Sequence, residues 1–170
     1  PDEIAFFKEN GYLIKRNILD PTLMAQARAC MWAGAPAQLQ MDNPASWVGP
    51  FTEKSDDPNS VRHEYTWKYR APGGEGWMIE LLPKNPSVWA IAEQLLGAGT
   101  LPEPARVRGI YAILPEGDAP PEPYHCHVDQ HPFHLGVVAY IDNVAPDGGG
   151  FTVWPGSHRH FFPTFTTQYT

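Results

Sequence analysis

An imidazole and a carboxylate stand two residues apart in the run Tyr124-His125-Cys126-His127-Val128-Asp129-Gln130-His131. On an extended strand, residues i and i+2 project from one face. His127 and Asp129 therefore offer a nitrogen and an oxygen donor side by side, two of the three ligands of a 2-His-1-carboxylate iron site. Zinc is a second reading, because His125 shares that face and would add a third donor. Successive same-face residues on a strand stand about 7 Å apart, twice a rise of about 3.3 Å per residue. Metal bonds near about 2.1 Å can then join two neighbours, and the third ligand has to come from a distant element. His125 becomes a rim residue. His158 and His160 are both candidates for the third donor, with His134 and His63 as further ones, and His158 is the best placed because it follows a strand expected near the first. The bland alternative is a polar strand at a sheet rim whose histidines bond to backbone. Cys126 faces the opposite side and reads as a small buried side chain.

Such groups need a sheet to hold them, and the chain from residue 105 carries sheet signals. Val107, Gly109, Tyr111 and Ile113 alternate with Arg108, Ile110 and Ala112. A turn follows at 114–118, then a strand at 124–129. Residues 135–141 form an apolar run that predicts a strand buried on both faces. Residues 151–154 predict another strand, stopped by Pro155-Gly156. A sheet of this kind needs further strands to cover its face and edges, so the remainder is expected beyond Thr170.

The first hundred residues read as helical. A helix over 2–9 ends at Asn10-Gly11, and a brief strand is expected at 12–14. Asp20-Pro21 opens a second helix, with Leu23, Ala27, Cys30 and Met31 on one side. Residues 36–62 form a long polar connection, either a lid or a surface excursion anchored by Trp47 and Phe51. Residues 63–70 predict a strand. Residues 87–96 predict a helix whose buried stripe is Trp89, Ala92, Leu95 and Leu96. Residues 161–170 show no clear period.

Size and charge set the outer bounds. A chain of 170 residues suits one domain over 1–170, helical through 1–100 and sheet-forming from 105 onward. Twelve basic residues against 19 acidic ones give a formal charge of −7, which argues against nucleic acid or anionic lipid as a partner. Arg106 and Arg108 form only a pair rather than a basic patch, and a pair could equally grip one small anionic group. Cys30 and Cys126 are the two cysteines and make no disulfide framework, so a reducing, cytoplasmic setting is expected. No apolar run reaches membrane-spanning length. Oligomeric state is not encoded in any of these features.

The segment His127-Val128-Asp129, the apolar stretch 136–143, and Gly148-Gly149-Gly150-Phe151-Thr152-Val153-Trp154-Pro155-Gly156-Ser157-His158-Arg159 together resemble the phytanoyl-CoA dioxygenase family. These are iron(II)- and 2-oxoglutarate-dependent oxygenases. The likeness covers residues 105–160, and Asn10-Gly11-Tyr12-Leu13 is similar to the family's opening. It implies a mostly β fold with outer helices, a double-stranded β-helix (jelly roll, cupin-like) that is incomplete in this chain. It implies Fe(II) held by His127 and Asp129 as catalytic metal ligands, with Tyr140 lining the 2-oxoglutarate pocket. The carboxylate at Asp129 points to a hydroxylase, which would use O2 to hydroxylate a small organic substrate. The distal histidine and the cosubstrate arginine would lie beyond Thr170. Two other readings stay open: a non-catalytic binding or scaffold protein of the same fold with an incomplete metal site, and a zinc-dependent hydrolase on a cupin-like barrel.

Overall fold

Two of the helices begin at side chains that satisfy the free N–H groups of their first turn. The computed structural model describes residues 2–49, 61–62, 66–115, 117, 135–146 and 148–168. Helix α1 (Asp2–Asn10) carries Asp2 and Glu3 in its first turn and Lys8 in its last, complementing the helix dipole. Gly11, at φ +81°, ends it by donating to the Phe7 carbonyl at 2.7 Å. Asp20 caps α2 (Pro21–Ala33), its Oδ1 accepting from the Thr22 and Leu23 amides at 2.7 and 3.2 Å. Asn85 caps α4 (Pro86–Leu96) in the same way through the Ser87 and Val88 amides. Both helices place proline at the first position, where its missing N–H costs nothing. Short 3-10 turns occupy Pro44–Trp47 and Ala71–Gly74, and α3 (Gly76–Leu81) follows the second of them.

The sheet has three short strands, β1 (Val61–Arg62), β2 (Thr66–Tyr69) and β3 (Ile110–Ile113), in the order β1-β2-β3. Both pairings are antiparallel, with Thr66 opposite Ile113 and Tyr69 opposite Ile110. Ala27 of α2, Met78 and Leu81 of α3, and Ile110 of β3 form one buried cluster, flanked by Leu23, Met31 and Trp77. Leu39 and Trp67 form a second, against Trp32, Trp47 and Leu114. The α2 helix thus packs over α3 and one end of the sheet. Helix α5 (His158–Gln168) follows residues 148–157, which form no strand.

Several expectations are corrected here. The jelly roll is not formed. Among the described residues the chain is mainly helical, and its only sheet has strands of four residues or fewer. Residues 135–140 and 151–154 join no ladder. Val138 is 57% exposed and Phe151 68%, so neither stretch is a buried strand. An apolar run states a preference for burial, whereas a ladder also needs a partner edge, and Pro146 and Pro155 withhold donors from this region. No strand forms at 12–14 either. In α4 it is Val88 that is buried, and Leu96 faces outward. The likeness to the phytanoyl-CoA dioxygenase family is overturned with the fold that family would require. The expected strand at 124–129 lies outside the described residues, as does Phe51. Trp47 does anchor its connection, packing against Trp32 with ring centroids 5.5 Å apart.

Candidate functional site

The antiparallel pairing of β2 with β3 brings arginines together at one end of the sheet. Arg70 directly follows β2, while Arg106 and Arg108 lie on the segment leading into β3. Because Tyr69 faces Ile110, the chain leaving β2 runs beside the chain entering β3. Arg106 and Arg108 are two residues apart, the spacing that sends side chains to one face of an extended segment. The three arginines line a concavity of about 140 Å³.

Two glycines permit that close approach. The Val107 amide donates to the Gly73 carbonyl at 2.7 Å. A Cβ on Gly73 would strike the Val107 carbonyl oxygen. Gly109 has φ +122°, and a Cβ there would run into the Tyr69 carbonyl and the Arg70 Cα. A side chain at either position would push the two segments apart and open the cleft.

Arg106 and Arg108 are exposed, and Arg70 is half-buried. Arg106 Nε donates to the Val107 carbonyl at 3.4 Å, which leaves its terminal nitrogens for another acceptor. Among the described residues, neither Arg106 nor Arg108 forms an ion pair with a carboxylate, and Arg70 is engaged in a further interaction of its own. A concentration of positive charge on a protein of net charge −7 is a local exception, and it marks the cleft as an electrostatic sink for an anion.

Nearby ionisable groups argue against nucleophilic chemistry. Burial pushes the Cys30 thiol up, with the Glu75 carboxylate adding to the effect and a hydrogen bond to Tyr69 opposing it. Burial likewise raises the Tyr69 phenol, with Cys30 and Glu75 contributing. A thiol held protonated is a poor nucleophile. A separate hollow of about 60 Å³ lies between α1 and α4, but its one charged group, Glu3, is already paired with Lys15 at 2.8 Å.

His127 and Asp129 lie outside the described residues, as do His125, Cys126, His134 and His63. Among the described residues no group of three or more His, Cys, Asp or Glu side chains could hold a metal. With the fold also different, the Fe(II) and 2-oxoglutarate expectation is overturned, and with it the dioxygenase activity. The fold also removes the cupin-like barrel of the zinc reading. His158 is occupied elsewhere: its Nε2 donates to the Lys8 carbonyl at 3.1 Å. Tyr140 is exposed, and its hydroxyl accepts from the Phe151 amide at 2.7 Å. The sequence did mark Arg106 and Arg108. Arg70 was missed, since its approach depends on strand register, and the only local signal was the nearby Gly73-Gly74. No helix among the described residues is long and apolar enough to cross a membrane. No protein-family model, curated protein or solved structure matches this chain.

Proposed function

We propose that this chain is a binding protein for a small oxyanion, which it grips in the Arg70–Arg106–Arg108 cleft. The observation that carries the reading is that Arg70, Arg106 and Arg108, from two adjacent segments, line one small concavity, where the exposed Arg106 and Arg108 make no ion pair among the described residues. A guanidinium presents its donors in a planar fork that matches carboxylate and phosphate oxygens. What the cleft offers is binding and orientation of an anion by guanidinium groups. We further take residues 1–170 as one folding unit working in the cytoplasm, in keeping with the free Cys30 thiol.

Calorimetric titration with small anions tests the reading. Arg106→Gln and Arg108→Gln should each weaken binding about tenfold, the loss of one charge-assisted interaction, with unchanged thermal stability because both side chains are exposed. Undiminished affinity in the double variant would remove the cleft from consideration.

A further inference from the structure

We infer that Asn10-Gly11 is a deamidation site held shut by the docking of α5 on α1, so that conversion of Asn10 marks chains in which α5 has come away. The site shares no residue with the arginine cleft and does not depend on it. Asparagine is a thermolabile side chain, and a following glycine leaves its own amide nitrogen unhindered by any Cβ. In the reaction the Gly11 nitrogen gives up its proton and attacks Cγ of Asn10. A C–N bond forms, the Cγ–Nδ2 bond breaks, and Nδ2 leaves with the proton as ammonia. Water then opens the cyclic imide at either carbonyl, giving aspartate or isoaspartate. Nothing is oxidised or reduced, and water is the only co-reactant.

Both reacting groups are engaged in the folded chain. The Gly11 amide donates to the Phe7 carbonyl at 2.7 Å. Asn10 Nδ2 donates to the Phe6 carbonyl at 3.0 Å, which points the side-chain amide back along α1. Bringing the Gly11 nitrogen onto Cγ requires this last turn to open, and α5 closes it from outside. The Gly156 amide donates to the Asn10 carbonyl at 2.9 Å, and His158 Nε2 donates to the Lys8 carbonyl at 3.1 Å. The His158 ring also fills the space where a Cβ of Gly11 would stand. Rotating the Asn10–Gly11 peptide would therefore break the Gly156 bond and drive Gly11 into the imidazole. The products cannot restore the closed turn. A carboxylate has no donor for the Phe6 carbonyl, and its charge falls at the negative end of the α1 dipole. Isoaspartate reroutes the main chain through Cγ. Each conversion is one-way, and the converted chain docks α5 less firmly than before.

Mass spectrometry of the N-terminal peptide, after incubation of the full chain in neutral buffer, follows the conversion. The folded chain should convert at least about tenfold more slowly than the same chain in urea, the factor imposed by an opening that breaks two hydrogen bonds. His158→Ala should speed conversion of the folded chain about fivefold, the change in open population that one hydrogen bond controls. Should that variant fail to fold, Arg159→Gln, which gives up a bond to the Lys8 carbonyl at 3.4 Å, should show an increase of the same sign. Asn10→Asp stands in for one product and should raise hydrogen exchange at the Gly156 amide about fivefold. Equal conversion rates with and without urea would overturn the protection. An unchanged rate in the folded variants would overturn α5 as its cause, and unchanged Gly156 exchange in Asn10→Asp would overturn the one-way step. Absence of conversion even in urea would remove the site altogether.

Discussion

Single residues control the cleft through backbone geometry as much as through charge. Gly109 sits at φ +122° with the Tyr69 carbonyl and the Arg70 Cα where a Cβ would stand. Gly109→Ala should therefore cost about 2–4 kcal/mol, combining backbone strain with displacement of β2 from β3. Thermal unfolding should show a lowered midpoint, by roughly 2–4 °C for each kcal/mol in a chain of this size. Anion affinity should fall as well, since Arg70 and Arg108 would be moved apart. A substituted protein of wild-type stability would show that the segments are not in contact. A second prediction at this scale concerns Cys30 and Tyr69. Both acids are raised in the folded chain, chiefly by burial, so the folded state holds its protons to higher pH than the unfolded state does. Their contribution to stability is full at neutral pH and declines above about pH 8.5, where an unperturbed thiol begins to ionise. Urea titrations across that range should show stability falling with pH. Cys30→Ser should shallow the slope, and an unchanged slope would exclude the thiol.

Elements divide according to whether their cause is local. The cap of α2 was legible because cap, proline and first turn adjoin in the chain at Asp20-Pro21, whereas the same pattern at Asn85-Pro86 went unread and the expected helix began only at residue 87. The two caps are not equivalent in energy. Asp20 serves its helix alone, so Asp20→Ala should cost about 1 kcal/mol. Asn85 is 8% exposed, caps α4, and also donates Nδ2–H to the Ile18 carbonyl at 3.2 Å. Asn85→Ala should cost about 2–3 kcal/mol, because it removes the cap and leaves a part-buried carbonyl without its donor. Asn85→Asp keeps the cap oxygen but loses the donor, and should fall between the two in denaturant midpoint. Equal costs for the two alanine variants would refute the second role. Elements with distant causes were misread. Residues 135–141 have a strand's composition, yet their tether is Arg28 of α2, which donates to the Ile141 carbonyl at 2.8 Å and to Asp142 at 3.1 Å. Nothing within the run discloses that partner. Helix α5 was missed because Pro163 lies inside it and removes an internal donor. The candidate site was half legible for the same reason. Two arginines at i and i+2 are visible in any strand, whereas Arg70 joins them only through the register of β2 against β3.

At the scale of the whole molecule, the last described helix is fastened to the first. The C-terminal turn of α1 leaves carbonyls that its own ladder cannot satisfy. His158 Nε2 and Arg159 both donate to the Lys8 carbonyl, at 3.1 and 3.4 Å, and the Gly156 amide donates to the Asn10 carbonyl at 2.9 Å. Arg159 also brings a positive charge to the negative end of the α1 dipole. The His158 ring lies so close over Gly11 that a Cβ there would overlap Nδ1, and that nitrogen is buried without a hydrogen-bond partner. The ring is therefore held by packing on one side and by a single bond on the other. Gly11→Ala should be costly for two separable reasons: its φ of +81° strains alanine by about 1–2 kcal/mol, and the displaced ring loses its bond, worth about 1 kcal/mol. His158→Ala alone loses the bond and removes the obstacle. In the double variant only the backbone strain is added, so its destabilisation should be less than the sum of the singles by about 1 kcal/mol. Strict additivity in urea unfolding would mean that the ring does not rest on Gly11, and the fastening of α5 to α1 would then have to lie in Gly156 and Arg159 alone.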